Sequence, residues 1–200
     1  MRKTELKRKT RETEIRVSLN IDGRGKSQIK TPIFLLNHLL EIFSFFGLFD
    51  LELSAKGDEF HHINEDIGIT LGEAFIKALG SKRGIERFGF SYAPMGEALA
   101  RCVVDISGRP ALFFTSLGSK DLNFQIKDSK SKYSLLDFKS LLEGFCQHAR
   151  GTINVGLLQK EDLHHQLEAI FKSLALALRE AVRINPLFKK RVPSTKGVID

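Results

Sequence analysis

The pentad His61-His62-Ile63-Asn64-Glu65 recurs 103 residues later as His164-His165-Gln166-Leu167-Glu168. The two copies hold four of the six histidines in the chain. A helix turns by about 100° per residue, so a pentad that opens a helix places His61 and Glu65 on one face, and likewise His165 and Glu168. The other histidine of each pair is rotated away from that face. Two such helices therefore offer ligands for two metal ions, each bound by both copies.

A single pentad of this kind has a simpler explanation, because a helix N-terminus often carries surface histidines. A duplicated pentad within a duplicated chain favours metal binding instead. Histidine and carboxylate ligands without cysteine suit Mn²⁺, Fe²⁺, Co²⁺ or Zn²⁺, and the sequence alone selects none of them.

The segments around the pentads repeat as well. The motif Leu-Leu-Glu-x-Phe occurs at 39–43 and again at 141–145, 102 residues later. Each copy precedes an extended stretch, 48–55 or 152–157, which in turn precedes a pentad. The chain therefore divides into two similar halves.

Strand-like alternation ahead of each motif, at 13–21 and at 101–106, adds a sheet to each half. The polar stretch 116–134 is expected to be a surface loop or hairpin. These elements predict an α+β fold made by internal duplication. The two similar half-domains, 1–92 and 93–200, are each expected to be a β-sheet with helices packed on one face.

The composition is that of a globular protein, since 42% of the 200 residues are hydrophobic and 28% are charged. Two cysteines, Cys102 and Cys146, suit a reducing cytosol and give no zinc–thiolate framework. The N-terminus lacks the apolar region of a secretory signal. The most apolar stretch, 33–49, is short for a membrane span and is interrupted by polar residues. We therefore expect a cytoplasmic protein that does not enter a membrane.

The net charge of +7 raises the question of nucleic-acid binding. Much of the basic excess lies near the two termini, where no aromatic residues are interleaved with the basic ones, and no nucleic-acid-binding motif is present. A solvated terminus and a basic pocket for a small anion explain the charge better, so we expect no nucleic-acid partner.

Two features in the chain after the second pentad suit a phosphate group, although each has an ordinary explanation. Lys172 lies one turn beyond Glu168, where it forms either an i, i+4 ion pair or a contact with a substrate phosphate. The segment Pro193-Ser194-Thr195-Lys196-Gly197 offers hydroxyls, backbone N–H groups and a cation in a tight turn. Alone, this segment is more typical of a frayed tail.

Together, these motifs resemble the imidazoleglycerol-phosphate dehydratase family over nearly the whole chain. The resemblance depends on the order, spacing and identity of the motifs. Besides both pentads they include Thr31-Pro32-Ile33, Gly47-Leu48-Phe49-Asp50-Leu51, Pro94-Met95-Gly96-Glu97-Ala98, Asp105-Ile106-Ser107-Gly108-Arg109-Pro110 and the C-terminal Pro-Ser-Thr-Lys-Gly segment.

The resemblance implies a hydro-lyase of histidine biosynthesis that dehydrates D-erythro-imidazole glycerol phosphate to imidazole acetol phosphate. It implies Mn²⁺ as cofactor, two ions per active site, and a 24-subunit homo-oligomer with its metal sites between subunits. In this reaction the metal ions act as Lewis acids and a carboxylate moves the protons.

Carried onto this chain, the resemblance implies a role for each matching residue. One metal ion takes His38, His62, His165 and Glu168, and the other takes His61, Glu65 and His164. Phosphate binding falls to Arg87, Arg109, Lys172, Ser194 and Lys196. Glu12 matches a glutamate that contacts substrate and is the candidate acid/base, and Glu168 is expected to be catalytic as well as a ligand.

The chain departs from the family pattern at several pocket positions. Asn154 stands where the family has a histidine, so one metal site is expected to be weakened. The other departures are Asn37, Ile42, Phe46 and Gly96. Two functions therefore stay open. One is the dehydratase reaction, and the other is that of a diverged homologue, with lost or altered activity, kept as a metal-binding or assembly protein.

Overall fold

A computed structural model describes residues 1–116, 133–159, 162–188 and 191–199, and it contains two successive β-β-β-α-β-α units. The first unit consists of β1 (Lys3–Lys9), β2 (Thr13–Asn20), β3 (Ser27–Lys30), α1 (Phe34–Gly47), β4 (Asp50–Gly57) and α2 (Phe60–Leu79). The second unit consists of β5 (Phe88–Met95), β6 (Ala98–Asp105), β7 (Ala111–Ser116), α3 (Leu135–Ala149), β8 (Thr152–Gln159) and α4 (Leu163–Val182).

The two units share one topology. Their sheets have the strand orders β1-β2-β4-β3 and β5-β6-β8-β7. In each sheet the first two pairings are antiparallel and the last is parallel. The predicted α+β duplication is therefore confirmed. The division between residues 92 and 93 stays a prediction, and the second sheet begins with β5 at Phe88.

The helices lie between the two sheets and join the two units. α1 packs on α4, and α2 packs on α3. α2 also covers β1 and β2, and α4 covers β5 and β6. The inward side chains of both sheets and the helices form one hydrophobic core, which runs from Ile15 and Leu51 to Val104 and Ile153. Each helix pair therefore takes one helix from each unit.

The outer faces of the two sheets differ in chemistry. The first presents charged side chains, among them Lys3, Glu5, Lys7, Arg16 and Glu52. The second presents exposed apolar side chains, namely Phe88, Phe90, Tyr92, Val103 and Phe113. An exposed apolar face of this kind is typical of a protein–protein contact surface.

The basic N-terminus, expected to be solvated, forms the edge strand β1. It pairs with β2 along its whole length, from Lys3 opposite Asn20 to Lys9 opposite Glu14. Its side chains alternate between exposed and partly buried, although its sequence does not alternate between apolar and polar residues.

Residues 117–132, which make up most of the predicted loop or hairpin at 116–134, lie outside the described residues. None of the helices in the described part of the chain combines the length and the apolar character that crossing a bilayer requires.

Candidate metal centre

The second pentad meets His38 at the start of α4. The Nε2 atoms of His38 and His164 lie 3.1 and 3.0 Å from Oε1 of Glu168. The three ligand atoms lie within 4.8 Å of one another, and no other such group of three occurs among the residues that the structure describes. His38 reaches the pentad because α1 packs on α4.

This cluster fits a divalent cation. Neighbouring ligands of an octahedral cation with bonds of about 2.1 Å lie about 3.0 Å apart. Both histidine nitrogens keep that separation from Oε1 of Glu168. Two imidazoles and one carboxylate form a donor set that suits Mn²⁺ and similar metals.

Lys172 contacts the other oxygen of Glu168. Its Nζ donates to Oε2 over 3.0 Å, which confirms the i, i+4 ion pair. Burial acts to raise the pKa of Glu168, but hydrogen bonds from Lys172 and His38 outweigh it and the pKa is lowered. Glu168 is therefore an anion with one oxygen toward the histidines and the other toward an ammonium group.

His165 contacts a different carboxylate. Its Nδ1 lies 3.1 and 3.0 Å from the two carboxylate oxygens of Glu97, in the turn between β5 and β6. The hydrogen bond to Glu97 raises the pKa of His165. Within one chain His165 does not join the cluster of His38, His164 and Glu168, and its role as a ligand stays a prediction.

The first pentad, at the start of α2, is more exposed than the second. His61 Nε2 lies 4.0 Å from Glu65 Oε2, and the two side chains are 49% and 53% exposed. Ser140 of α3 lies 3.4 Å from Nδ1 of His61. Nδ1 of His62 lies 2.9 Å from Asp58, and this hydrogen bond raises the pKa of His62. Within the described residues, no third ligand completes a cluster here.

Glu12, the candidate acid/base, lies beside the first pentad. Its Oε2 is 4.0 Å from Nδ1 of His62, and its side chain is 56% exposed. The turn that carries Glu12 is fixed to α2 by Asp66, which accepts hydrogen bonds from Arg8, over 2.6 Å, and from the Thr13 hydroxyl. The structure thus groups Glu12 with the first pentad.

The predicted phosphate ligands lie in two places. Lys172 is at the cluster, whereas Arg87 forms a bidentate pair with Asp105 and donates to the carbonyl of Pro193 over 3.0 Å. This contact anchors the C-terminal turn, in which the Lys196 N–H donates to Oγ of Ser194. Arg109 is exposed, in the turn after β6.

The C-terminal turn that carries Ser194 and Lys196, called the basic turn, and the cluster of His38, His164 and Glu168 lie at opposite ends of α4. The N–H of Arg87 donates to the carbonyl of Ala181, 13 residues after Glu168. At about 1.5 Å per residue, those two helical positions are about 20 Å apart along the axis. One chain therefore does not bring all the predicted phosphate ligands to one point.

Two carboxylates that contact pentad histidines were absent from the sequence prediction. Asp58 lies four residues before His62, a spacing that was available as a signal. Glu97 lies 68 residues before His165, so only the fold reveals their contact.

Three departures from the family pattern have structural surroundings of their own. Asn37, in the first turn of α1, accepts hydrogen bonds from the backbone N–H and the hydroxyl of Thr31, over 3.0 and 2.8 Å. Thr31 itself lies ahead of the helix. Ile42 belongs to the core. Asn154 lies on the outer face of the second sheet, in register with Val103 and Phe113.

These features define a class of protein: a duplicated α+β chain whose fold assembles a candidate metal centre from histidine and glutamate. A profile of the imidazoleglycerol-phosphate dehydratase family matches residues 31–178. The imidazoleglycerol-phosphate dehydratase of Thermoanaerobacter pseudethanolicus is 46% identical over 202 residues, which cover 100% of both chains. The chain belongs to the imidazoleglycerol-phosphate dehydratase family and is a hydro-lyase.

Solved structures of the family have the same fold. The Pyrococcus furiosus enzyme in complex with (S)-C348 superposes with a TM-score of 0.80 at 39% identity, covering 96% of this chain and 99% of that one. The Staphylococcus aureus enzyme gives a TM-score of 0.77 at 33% identity, covering 92% and 99%. The resemblance found in the sequence is thereby confirmed.

Proposed function

We propose that this dehydratase of histidine biosynthesis acts on D-erythro-imidazole glycerol phosphate, releases imidazole acetol phosphate and uses bound Mn²⁺. The observation that carries the proposal is the cluster of His38, His164 and Glu168, whose ligand atoms lie within 4.8 Å of one another. Family membership supplies the reaction class.

The proposed active site holds two metal ions. One is bound by His38, His62, His165 and Glu168, and the other by His61, Glu65 and His164. His38, assigned to one ion, and His164, assigned to the other, both contact Oε1 of Glu168, so the two proposed ions would be neighbours at this carboxylate.

The proposed site is shared between subunits of a homo-oligomer, for which the resemblance implies 24 subunits. The first pentad lies on the helix that packs with α3, and the second on the helix that packs with α1. Arg87, which anchors the basic turn, contacts Ala181, about 20 Å along α4 from Glu168. A second copy of the chain would supply the pentad and the basic turn that one chain keeps apart from the cluster. The apolar outer face of the second sheet is a surface that assembly would bury.

The side chains divide the chemistry among them. Bound Mn²⁺ supplies a Lewis acid that stabilises negative charge on the imidazole ring. Glu12 is exposed beside His62, so it is available to take the proton from the second carbon of the glycerol chain. It can then protonate the hydroxyl that leaves as water from the carbon attached to the ring, and the resulting enol tautomerises to the ketone. Arg87, Arg109, Lys172, Ser194 and Lys196 hold the phosphate, and Lys172 also keeps Glu168 ionised.

The proposed location is the cytoplasm. Cys102 and Cys146 are both buried and unpaired, as is usual in a reducing compartment.

A diverged homologue without the dehydratase reaction is the second candidate. Asn154 favours it, because an amide replaces an imidazole expected in the metal site. Such a protein would keep the cluster and the assembly and would bind metal without turning over substrate.

Turnover of imidazole glycerol phosphate by the purified, Mn²⁺-loaded protein tests the proposal, with bound metal counted on the same sample. Turnover that is lost in His38→Ala supports the dehydratase and its metal centre. Bound metal without turnover establishes the diverged homologue, and a protein that retains no Mn²⁺ rejects the ligand set.

A further inference from the structure

We propose that Asp58 and Glu97 are positioning residues. Each holds Nδ1 of one pentad histidine, His62 or His165, and thereby leaves Nε2 of that ring free as the metal-binding atom. This role rests on the proposed function, in which both histidines are Mn²⁺ ligands.

The two pentads share a pattern of ring contacts. The first histidine of each pentad turns Nε2 toward the glutamate of its own pentad, at 4.0 Å for His61 and 3.0 Å for His164. The second histidine of each turns Nδ1 toward a carboxylate outside the pentad, at 2.9 Å for His62 and 3.0 Å for His165. The same ring atom is held in both halves.

The carboxylates come from unrelated places in the fold. Asp58 lies two residues before the start of α2, and its Oδ1 also accepts the N–H of Glu59 over 2.7 Å. Its own N–H donates to the carbonyl of Glu12 over 3.2 Å, which links the candidate acid/base turn to His62. Glu97 instead approaches from the β5–β6 turn.

Glu97 is held in a tight arrangement. Its Oε1 also accepts the N–H of Asp162, and Asp162 caps α4 by accepting the N–H of His165 over 3.1 Å. Gly96 has a φ of 55°, and a Cβ there would lie 3.1 Å from Nδ1 of His165. A glycine at this position lets the turn come close enough for Glu97 to reach the ring.

The chemistry of imidazole gives this contact a consequence. A neutral ring carries one N–H, and a carboxylate only accepts, so a carboxylate at Nδ1 fixes the proton there. The lone pair then lies on Nε2, which is the arrangement of metal-binding histidines whose other nitrogen is held by a carboxylate. Loss of such an outer partner typically weakens metal binding by about 10- to 100-fold.

The test compares Glu97→Ala and Asp58→Ala with Glu97→Gln, whose amide oxygen still accepts from Nδ1–H. Glu5→Gln, in an exposed ion pair with Lys3 on β1, is the control for the loss of one carboxylate. Histidine-selective ¹⁵N NMR of the metal-free proteins at about pH 9, where the neutral ring dominates, reports which nitrogen carries the proton. Mn²⁺ titration of the same proteins gives the dissociation constants.

We expect both alanine variants to move the proton of the affected ring to Nε2 and to weaken Mn²⁺ binding by about 10- to 100-fold. Glu97→Gln should lose less than Glu97→Ala, and Glu5→Gln should match the wild type. Unchanged ring signals together with Mn²⁺ affinities within about twofold of wild type in both alanine variants would overturn the proposal.

The exposed Asp58 keeps the test valid even if a Glu97 variant does not fold. A wild-type protein that binds no Mn²⁺ would instead reject the proposed function. The two failures are distinguishable, because the tautomers of His62 and His165 are measured without metal.

Discussion

The two pentads are alike in sequence and unlike in surroundings. Both open the helix that follows the last strand of their unit. In the second, Glu168 has a side chain that is 8% exposed and contacts His38, His164 and Lys172. In the first, Glu65 is 53% exposed and its nearest pentad histidine is 4.0 Å away. A duplicated motif has thus not produced a duplicated site.

The packing partners of the two helices explain the difference. α4 packs on α1, which carries His38 toward the second pentad. α2 packs on α3, where a Cβ at Gly144 would lie 2.9 Å from the carbonyl oxygen of Glu65. The backbone of α3 therefore passes close beside the first pentad and contributes Ser140 in place of a histidine. We infer that the first pentad gains its remaining ligands from another copy of the chain.

Replacing Glu168 by Gln disrupts the cluster of His38, His164 and Glu168 and has the largest expected effect. The substitution keeps the side-chain volume but removes a charged ligand and the anionic partner of Lys172. We expect Mn²⁺ affinity to fall by more than the roughly 100-fold that marks the upper range for an outer-shell partner. Equilibrium dialysis with Mn²⁺ measures it. Glu143→Gln, in an exposed pair with Lys139 on α3, is the matched control, and an equal affinity in both variants would contradict the ligand role of Glu168.

The sequence predicted the duplicated fold because apolar periodicity and the pentads repeat at almost one spacing. It did not predict β1, whose Lys-Thr-Glu-Leu-Lys-Arg-Lys sequence forms an edge strand with an exposed, charged outer face. The meeting of His38 with the second pentad was implied only by the family resemblance, since helix packing brings together residues 130 apart. The contact between Glu97 and His165 depends on a turn from another part of the chain, and periodicity carries no trace of it.

Mixing two inactive variants tests whether the first pentad is completed by ligands from another copy of the chain. His61→Ala disables the first pentad and His164→Ala the second, so each variant alone is expected to be inactive. If every site takes its two pentads from different chains, co-expression in equal amounts leaves about a quarter of the sites intact. Turnover by the co-purified mixture should therefore recover to about a quarter of wild type.

Co-expression of His61→Ala with His62→Ala is the control, because both variants damage the first pentad and no intact site forms. The absence of recovery in the first mixture as well would mean that each site uses both pentads of one chain.

Lys196→Ala separates phosphate binding from metal binding. The turn that carries Lys196 is anchored by Arg87 at the end of α4 remote from Glu168. A hydrogen bond to a charged group contributes about 1.5–3 kcal/mol, so KM for the phosphate substrate should rise roughly 10- to 100-fold. Mn²⁺ affinity should stay at the wild-type value, and Lys139→Ala, an exposed lysine on α3, should change neither quantity. A parallel loss of Mn²⁺ affinity in Lys196→Ala would mean that the turn acts on the metal centre instead.

Asn154→His has the smallest expected effect. It tests which of the two proposed metal ions an imidazole on the outer face of the second sheet would bind. Asn154 lies on that face, whereas Ile153 and Val155 point into the core, and α4 packs on the core side. An imidazole at residue 154 is therefore directed away from the cluster of its own chain. In the proposed assembly, with sites shared between subunits, it would face a metal ion of another copy. We expect Mn²⁺ affinity to rise by about tenfold in the otherwise wild-type protein. We expect no rise when His61→Ala is also present, because the ion assigned to His61, Glu65 and His164 then lacks a ligand. An equal rise in both backgrounds would assign the new imidazole to the other proposed ion, and no rise in either would place residue 154 outside both metal sites.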